Sequence, residues 1–251
     1  NEIEKWLEVY SHRFINPIFR LFQAELEIVY EEKNRAMDNP FRIFYNTFNK
    51  SFFKKHPYGQ QTILGSVEHL KNPSLTKMKQ NFNEFYVPNN MYLILTGDFD
   101  KRQVKSIIKK KFGRLEKGDA IEPLNIQEDQ FIGREVVDIS ITPYRIARMG
   151  YRTVKPNHPD ALALEVLANI FNNSSKTGLI DKLNTENKIL SASGYSGLGG
   201  KDHGGFGFGF IPKDDSQTFD QAESLMLGAI DDVKNGSFDE GALESIKLNM
   251  K

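Results

Sequence analysis

Apolar Ile3, Trp6, Leu7, Tyr10 and Phe14 recur at spacings of three and four, which predicts an amphipathic helix over Glu2–Phe14. A second helical run covers Leu21–Met37 and ends at Asp38-Asn39-Pro40. Proline disfavours helical geometry in the residue before it but suits the first position of a new helix, so a third helix is expected over Phe41–Phe53. His56-Pro57-Tyr58-Gly59 reads as a loop. Ser74 is a good N-cap for a helix reaching about Tyr86. Met91–Thr96 is a short apolar run rich in β-formers, the pattern of a buried strand. Asp100 then caps a helix over Lys101–Phe112, whose Val104, Ile107, Ile108 and Phe112 share one face.

Periodicity fails between residues 115 and 130, where Gly118, Pro123 and a cluster of polar residues predict a linker. Beyond it, Glu135–Ile141 and Ile146–Arg152 look like strands separated by Thr142-Pro143-Tyr144. Helices are expected over Pro159–Phe171 and Thr177–Glu186. Ile189–Gly197 and Gly205–Ile211 then form a strand pair around a glycine-rich turn. The alternation Phe206-Gly207-Phe208-Gly209-Phe210 puts three aromatics on one sheet face. Its glycines leave room on the other face for a backbone or helix to approach. Two further helices, Gln217–Lys234 and Asp239–Lys251, end the chain without a C-cap residue. Together with the missing initiator Met, this reads as a segment cut at both ends.

Composition narrows the classes. Hydrophobic residues make up 39% and charged residues 26% of the 251, enough for a buried core. The 33 basic and 33 acidic side chains cancel, which argues against nucleic acid or a polybasic membrane surface as partner. No apolar stretch approaches the ~18 residues of a membrane helix, and the acidic start is no signal peptide. With 0 cysteines, any metal must be held by His, Glu or Asp.

Glu25 and Glu32 form the strongest local cluster. Seven residues separate them, nearly two helical turns, so they project from one face. Glu32 could ligate a cation and Glu25 could orient a ligand or water. Taken by itself the spacing is a weak signal, because charged residues on a helix usually form a solvated face. His12, His56, His69, His158 and His203 are scattered with no H-E-x-x-H or H-x-x-E-H, and each reads as exposed or capping. Val67-Glu68-His69 has the end of an inverted zincin motif, but Gly65 stands where its first histidine belongs. The glycines of 194–209 lie between strands and lack the G-x-x-x-x-G-K-[ST] pattern of a phosphate loop. The basic run Lys105–Lys111 is the wet side of an amphipathic helix, and no nucleophile elbow is present.

The order of landmarks is more specific than any one of them. Glu25-x6-Glu32, Asp38-Asn-Pro40, His56-Pro-Tyr-Gly59, Ile63-Leu-Gly65, Phe85-Tyr-Val-Pro-Asn-Asn-Met91, Leu93-Ile-Leu-Thr-Gly-Asp98 and Phe112-Gly113 together resemble the insulinase/pitrilysin (inverzincin) zinc metallopeptidase family. The passage Asn172-Asn-Ser-Ser-Lys-Thr-Gly-Leu-Ile180 and the hairpin after it are similar too, less strongly. The resemblance implies an α+β fold of two consecutive α/β units, each an antiparallel or mixed sheet packed by helices. Residues 1–114 would be the C-terminal part of a first unit, 115–130 a linker, and 131–251 a second, C-terminally truncated unit.

It also implies a metalloendopeptidase that holds zinc with two histidines and a glutamate and degrades peptides or unfolded polypeptides. Glu32 matches the glutamate ligand and Glu25 a supporting active-site residue. The H-x-x-E-H segment, expected upstream of Asn1, is absent, so the segment alone is expected to be inactive and not to hold zinc. The alternative is a non-catalytic scaffold or peptide-binding subunit of the same fold. Expected partners are a peptide substrate, the missing N-terminal segment and C-terminal half of the parent, and a second copy of the chain covering truncated surfaces. The family suggests a bacterial periplasm or envelope; the sequence itself does not locate the protein.

Overall fold

The computed structural model describes residues 2–123, 125–140, 143 and 145–250. The chain divides into two compact units, each discontinuous in sequence: 1–36 with 63–125, and 37–62 with 126–251. The expected linker is therefore shared, with 115–125 in the first unit and 126–130 in the second.

The first unit is helical. α1 (Ile3–Ile15), α2 (Phe22–Met37), α6 (Leu75–Phe85) and α7 (Lys101–Phe112) lie close to their predicted bounds, joined by a short α5 (Val67–Lys71) that the periodicity does not predict. Ser74 caps α6 by accepting from the Lys77 N–H at 3.2 Å, and Asp100 caps α7 by accepting from Gln103 at 2.7 Å. Each cap occupies a backbone donor that the first helical turn leaves without a partner. α1 and α7 are joined at their polar edge. Lys111 Nζ pairs with Glu8 at 2.8 Å and Glu4 at 3.2 Å, while Arg114 reaches Glu8 and the buried Ser11 hydroxyl, both at 2.9 Å. Phe14, Phe19, Phe82 and Tyr86 stack into an aromatic cluster on these helices and the loop after α1.

Met91–Thr96 departs from expectation. It forms no ladder among the described residues, and Tyr92 and Ile94 stand 96% and 82% exposed. β-forming side chains make a strand only where a neighbour supplies hydrogen bonds and cross-strand pairs.

The second unit carries the sheet. β1 (Ala147–Thr153), β2 (Ser191–Ser196) and β3 (Gly204–Ile211) form an antiparallel sheet of order β1-β3-β2. Met149 and Gly194 both stand opposite Phe208. Phe206, Phe208 and Phe210 are buried on one face, as the alternation predicts. They pack with Phe171 of α8 (Ala161–Phe171), Ile180 of α9 (Leu179–Thr185), and Ala222, Met226 and Ala229 of α10 (Phe219–Lys234). α11 (Glu240–Asn249) follows.

The opposite face receives α3 (Pro40–Phe52), which Asn39 caps with Pro40 at its first position. A Cβ on Gly150 would fall 2.6 Å from Phe48 Cζ, and one on Gly205 would fall 3.1 Å from Phe52 Cε1. The glycines thus admit the aromatic face of α3. Residues 135–140 form no ladder among the described residues, so the strand expected at Glu135–Ile141 is not seen there. Ile141, Thr142 and Tyr144 lie outside the described residues. The fold is α+β, with an antiparallel sheet packed by helices, as the resemblance implied.

Candidate functional site

Glu25 and Glu32 both lie on α2 and are exposed. Their spacing puts them on one helix face, about 10 Å apart along the axis. His12, His69 and His158 are exposed on other elements. Among the described residues, no group of three or more His, Cys, Asp or Glu could hold a metal ion. A catalytic zinc needs three protein ligands and an open position for water. The donor set described here does not fit such a centre by itself.

A different cluster, which sequence spacing did not reveal, assembles in the second unit. His56-Pro57-Tyr58-Gly59 is not a plain loop. His56 caps a short helical turn, α4 (Pro57–Gln60), its Nδ1 accepting from the Tyr58 N–H at 3.3 Å. The imidazole is only 2% exposed. It lies 4.0 Å from the Tyr58 ring and 4.8 Å, edge to face, from the His203 ring. Its Nε2 has no hydrogen-bond partner among the described residues and sits 3.7 Å from Asp202 Oδ2. His203 Nε2 donates to the Ile126 carbonyl at 2.9 Å, since a carbonyl can only accept.

Glu128 anchors the base of this cluster, and its side chain is also 2% exposed. Its carboxylate accepts three consecutive backbone N–H bonds, from Lys54 (3.0 Å), Lys55 (2.8 Å) and His56 (2.6 Å). Successive N–H groups around one anion form the concave nest that favours negative charge. Arg152 Nη2 adds an ion pair at 3.0 Å, and its guanidinium lies 4.3 Å from the centre of the Phe131 ring. Burial pushes the Glu128 pKa up, but the three N–H donors and Arg152 outweigh it and hold the carboxyl below its ordinary range. Burial pulls His56 down, His203 adds to that, and Asp202 and Glu128 oppose it; the net shift is downward.

The family profile described as "Peptidase M16 inactive domain" matches residues 74–250. The chain belongs to this family. The matched span of this M16 chain covers Glu128, Arg152, Asp202 and His203; Glu25, Glu32 and His56 precede it. The "Zinc protease PqqE" of Helicobacter pylori is 24% identical over 237 residues, 92% of this chain and 52% of the relative. A solved protease from Helicobacter pylori superposes with a TM-score of 0.77 at 20% identity, covering 99% of this chain and 62% of that one. The periplasmic protease PqqL from Escherichia coli gives a TM-score of 0.70 at 17% identity, over 98% of this chain and 28% of that one. This M16 chain thus spans about half the length of the curated relative it matches. The resemblance to the insulinase/pitrilysin peptidases is borne out, and so is the fold it implied.

Proposed function

We propose that this chain is a segment of a zinc-dependent metalloendopeptidase acting on peptides or unfolded polypeptides, and that the segment alone does not hydrolyse them. One observation carries the second half of this reading. Among its described residues no set of three or more donors for a metal exists, and Glu32 stands exposed on α2. Glu32 is one zinc ligand of the longer protein and Glu25 a supporting residue, with the other ligands contributed from outside this chain. Names of relatives such as the zinc protease of Helicobacter pylori support zinc chemistry at that level. Its partners are a peptide substrate and the rest of the parent protein, with a second copy of this chain as a further partner when the segment stands alone. The periplasmic Escherichia coli neighbour supports an envelope location.

The matched profile's own description as an inactive domain favours a second reading, a non-catalytic scaffold or peptide-binding subunit. Substitution of Glu32 by Gln in the longer protein separates the two. The metallopeptidase reading expects zinc occupancy, read by elemental analysis, to fall together with peptide turnover. Unchanged zinc content in Glu32→Gln would remove Glu32 from the ligand set. A longer protein without zinc or turnover at the outset would favour the scaffold.

A further inference from the structure

The turn His56–Tyr58 and the tip of the β2–β3 connection, residues 200–203, meet through groups far apart in sequence. The Tyr58 hydroxyl accepts from the Asp202 N–H at 3.2 Å, and Asp202 Oδ2 lies 3.4 Å from the same hydroxyl. The Tyr58 hydroxyl also fills the space beside Gly200, 2.6 Å from where a Cβ would be. His203 closes the contact by packing against Phe53 and His56. Gly197 and Gly199, at φ +86° and +101°, flank the tip with backbone conformations that side chains rarely adopt. Behind them, Leu198 is tied down separately by its N–H to the Gly205 carbonyl at 2.9 Å and by burial against Phe52 and Phe53.

We propose that this contact is a pH-sensitive latch, in which neutral His56 holds the 200–203 tip on the His56–Tyr58 turn and protonation of His56 releases it. The geometry explains the direction. His56 Nδ1 accepts from the Tyr58 N–H, so the neutral ring carries its hydrogen on Nε2. A second proton would have to sit on Nδ1, against a donor N–H, and the N-cap bond would be lost. The groups facing the ring are Tyr58 from its own turn, Glu128 from the 126–131 segment, and Asp202 and His203 from the tip. Lys54, Lys55 and Arg152 are committed to Glu128, Asp129 and Glu135 around it. Asp202 attracts an imidazolium, but its oxygen at 3.7 Å is beyond hydrogen-bond range. Burial and His203 prevail, so His56 is held below its ordinary value of 6.5. A depressed histidine weakens the closed state as pH falls below 6.5, where the open state takes up a proton and the closed state does not.

Amide hydrogen exchange between about pH 7.5 and about pH 5.5, corrected for intrinsic rates, reads the latch directly. The Asp202 amide should lose protection several-fold on acidification, while the Leu198 amide, bonded within the hairpin, should not. His56→Asn keeps an N-cap acceptor but cannot titrate, and should abolish the pH dependence. Equal protection of Asp202 at both pH values would overturn the proposal, as would the same pH dependence in His56→Asn. If that variant does not fold, ring NMR of the wild-type chain decides. His56 must titrate below 6.5 from a state protonated at Nε2, and titration at or above 6.5 with the tip still protected overturns the latch.

Discussion

Phe48 Cζ lies 2.6 Å from the point where a β-carbon on Gly150 would stand. This contact between α3 and the central part of β1 fixes how closely the helix approaches the sheet, because Phe52 Cε2 crowds the same point at 3.0 Å. The rings are held by stacking on each other at 5.4 Å, and Arg148 lies 4.4 Å from the Phe48 ring centre. Neither ring can withdraw without giving up those contacts.

Gly150→Ala should therefore destabilise the second unit by about 1–3 kcal/mol, the usual cost of overpacking a filled core. Urea unfolding followed by far-UV circular dichroism measures it. A midpoint equal to wild type would mean that α3 is free to shift away from the sheet.

Glu128 makes a second prediction. Removing its carboxylate takes the counter-charge from Arg152, which keeps only the Phe52 and Asp129 carbonyls, and frees three backbone donors, so Glu128→Ala should cost about 3–5 kcal/mol. Glu128→Gln keeps one acceptor and should cost about 1–3 kcal/mol. A loss below these ranges in both variants would show that water replaces the carboxylate freely.

The same residue sets a pH dependence. Its folded-state pKa lies below the ordinary 4.5, so its stabilising contribution is complete above 4.5 and is lost as pH falls through the folded-state value. Thermal melts of wild type and Glu128→Gln should converge as the pH is lowered through and below that window. Melting curves that stay parallel through the acid range would contradict this assignment.

Thr218 and Gln221 close α10 at its start in a reciprocal pair. The Thr218 hydroxyl accepts from the Gln221 N–H at 3.1 Å, and the Gln221 amide oxygen accepts from the Thr218 N–H at 2.9 Å. Thr218→Ala should lower stability by about 0.5–2 kcal/mol, as loss of such a cap does elsewhere. No change in the unfolding midpoint would mean that water satisfies the freed donor at no cost.

The helices were legible because their signals are local. Ser74 and Asp100 announce α6 and α7 three residues before the N–H groups they receive. The Phe206–Phe210 alternation and the adjoining glycines foretold which sheet face would be buried and which would be approached by a helix. Met91–Thr96 and Glu135–Ile141 have the same local character, yet a strand also requires a partner, which composition does not reveal. The candidate site divides in the same way. The Glu25–Glu32 spacing is visible on paper, whereas exposure on α2 is not. Tyr58 and Asp202 are separated by 144 positions, and no spacing rule could pair them. A Pro-Gly turn containing a histidine signalled a loop with an exposed or capping side chain; His56 does cap, but it is buried rather than exposed.

The proposed function gives this chain one zinc ligand of a longer peptidase without making the chain a peptidase by itself. Its most direct test is to add zinc and an unstructured fluorogenic peptide to the purified chain, following bound metal and turnover together. The account predicts no tightly retained zinc and no zinc-dependent cleavage. One equivalent of zinc retained through dialysis, with peptide turnover abolished by a chelator, would contradict it.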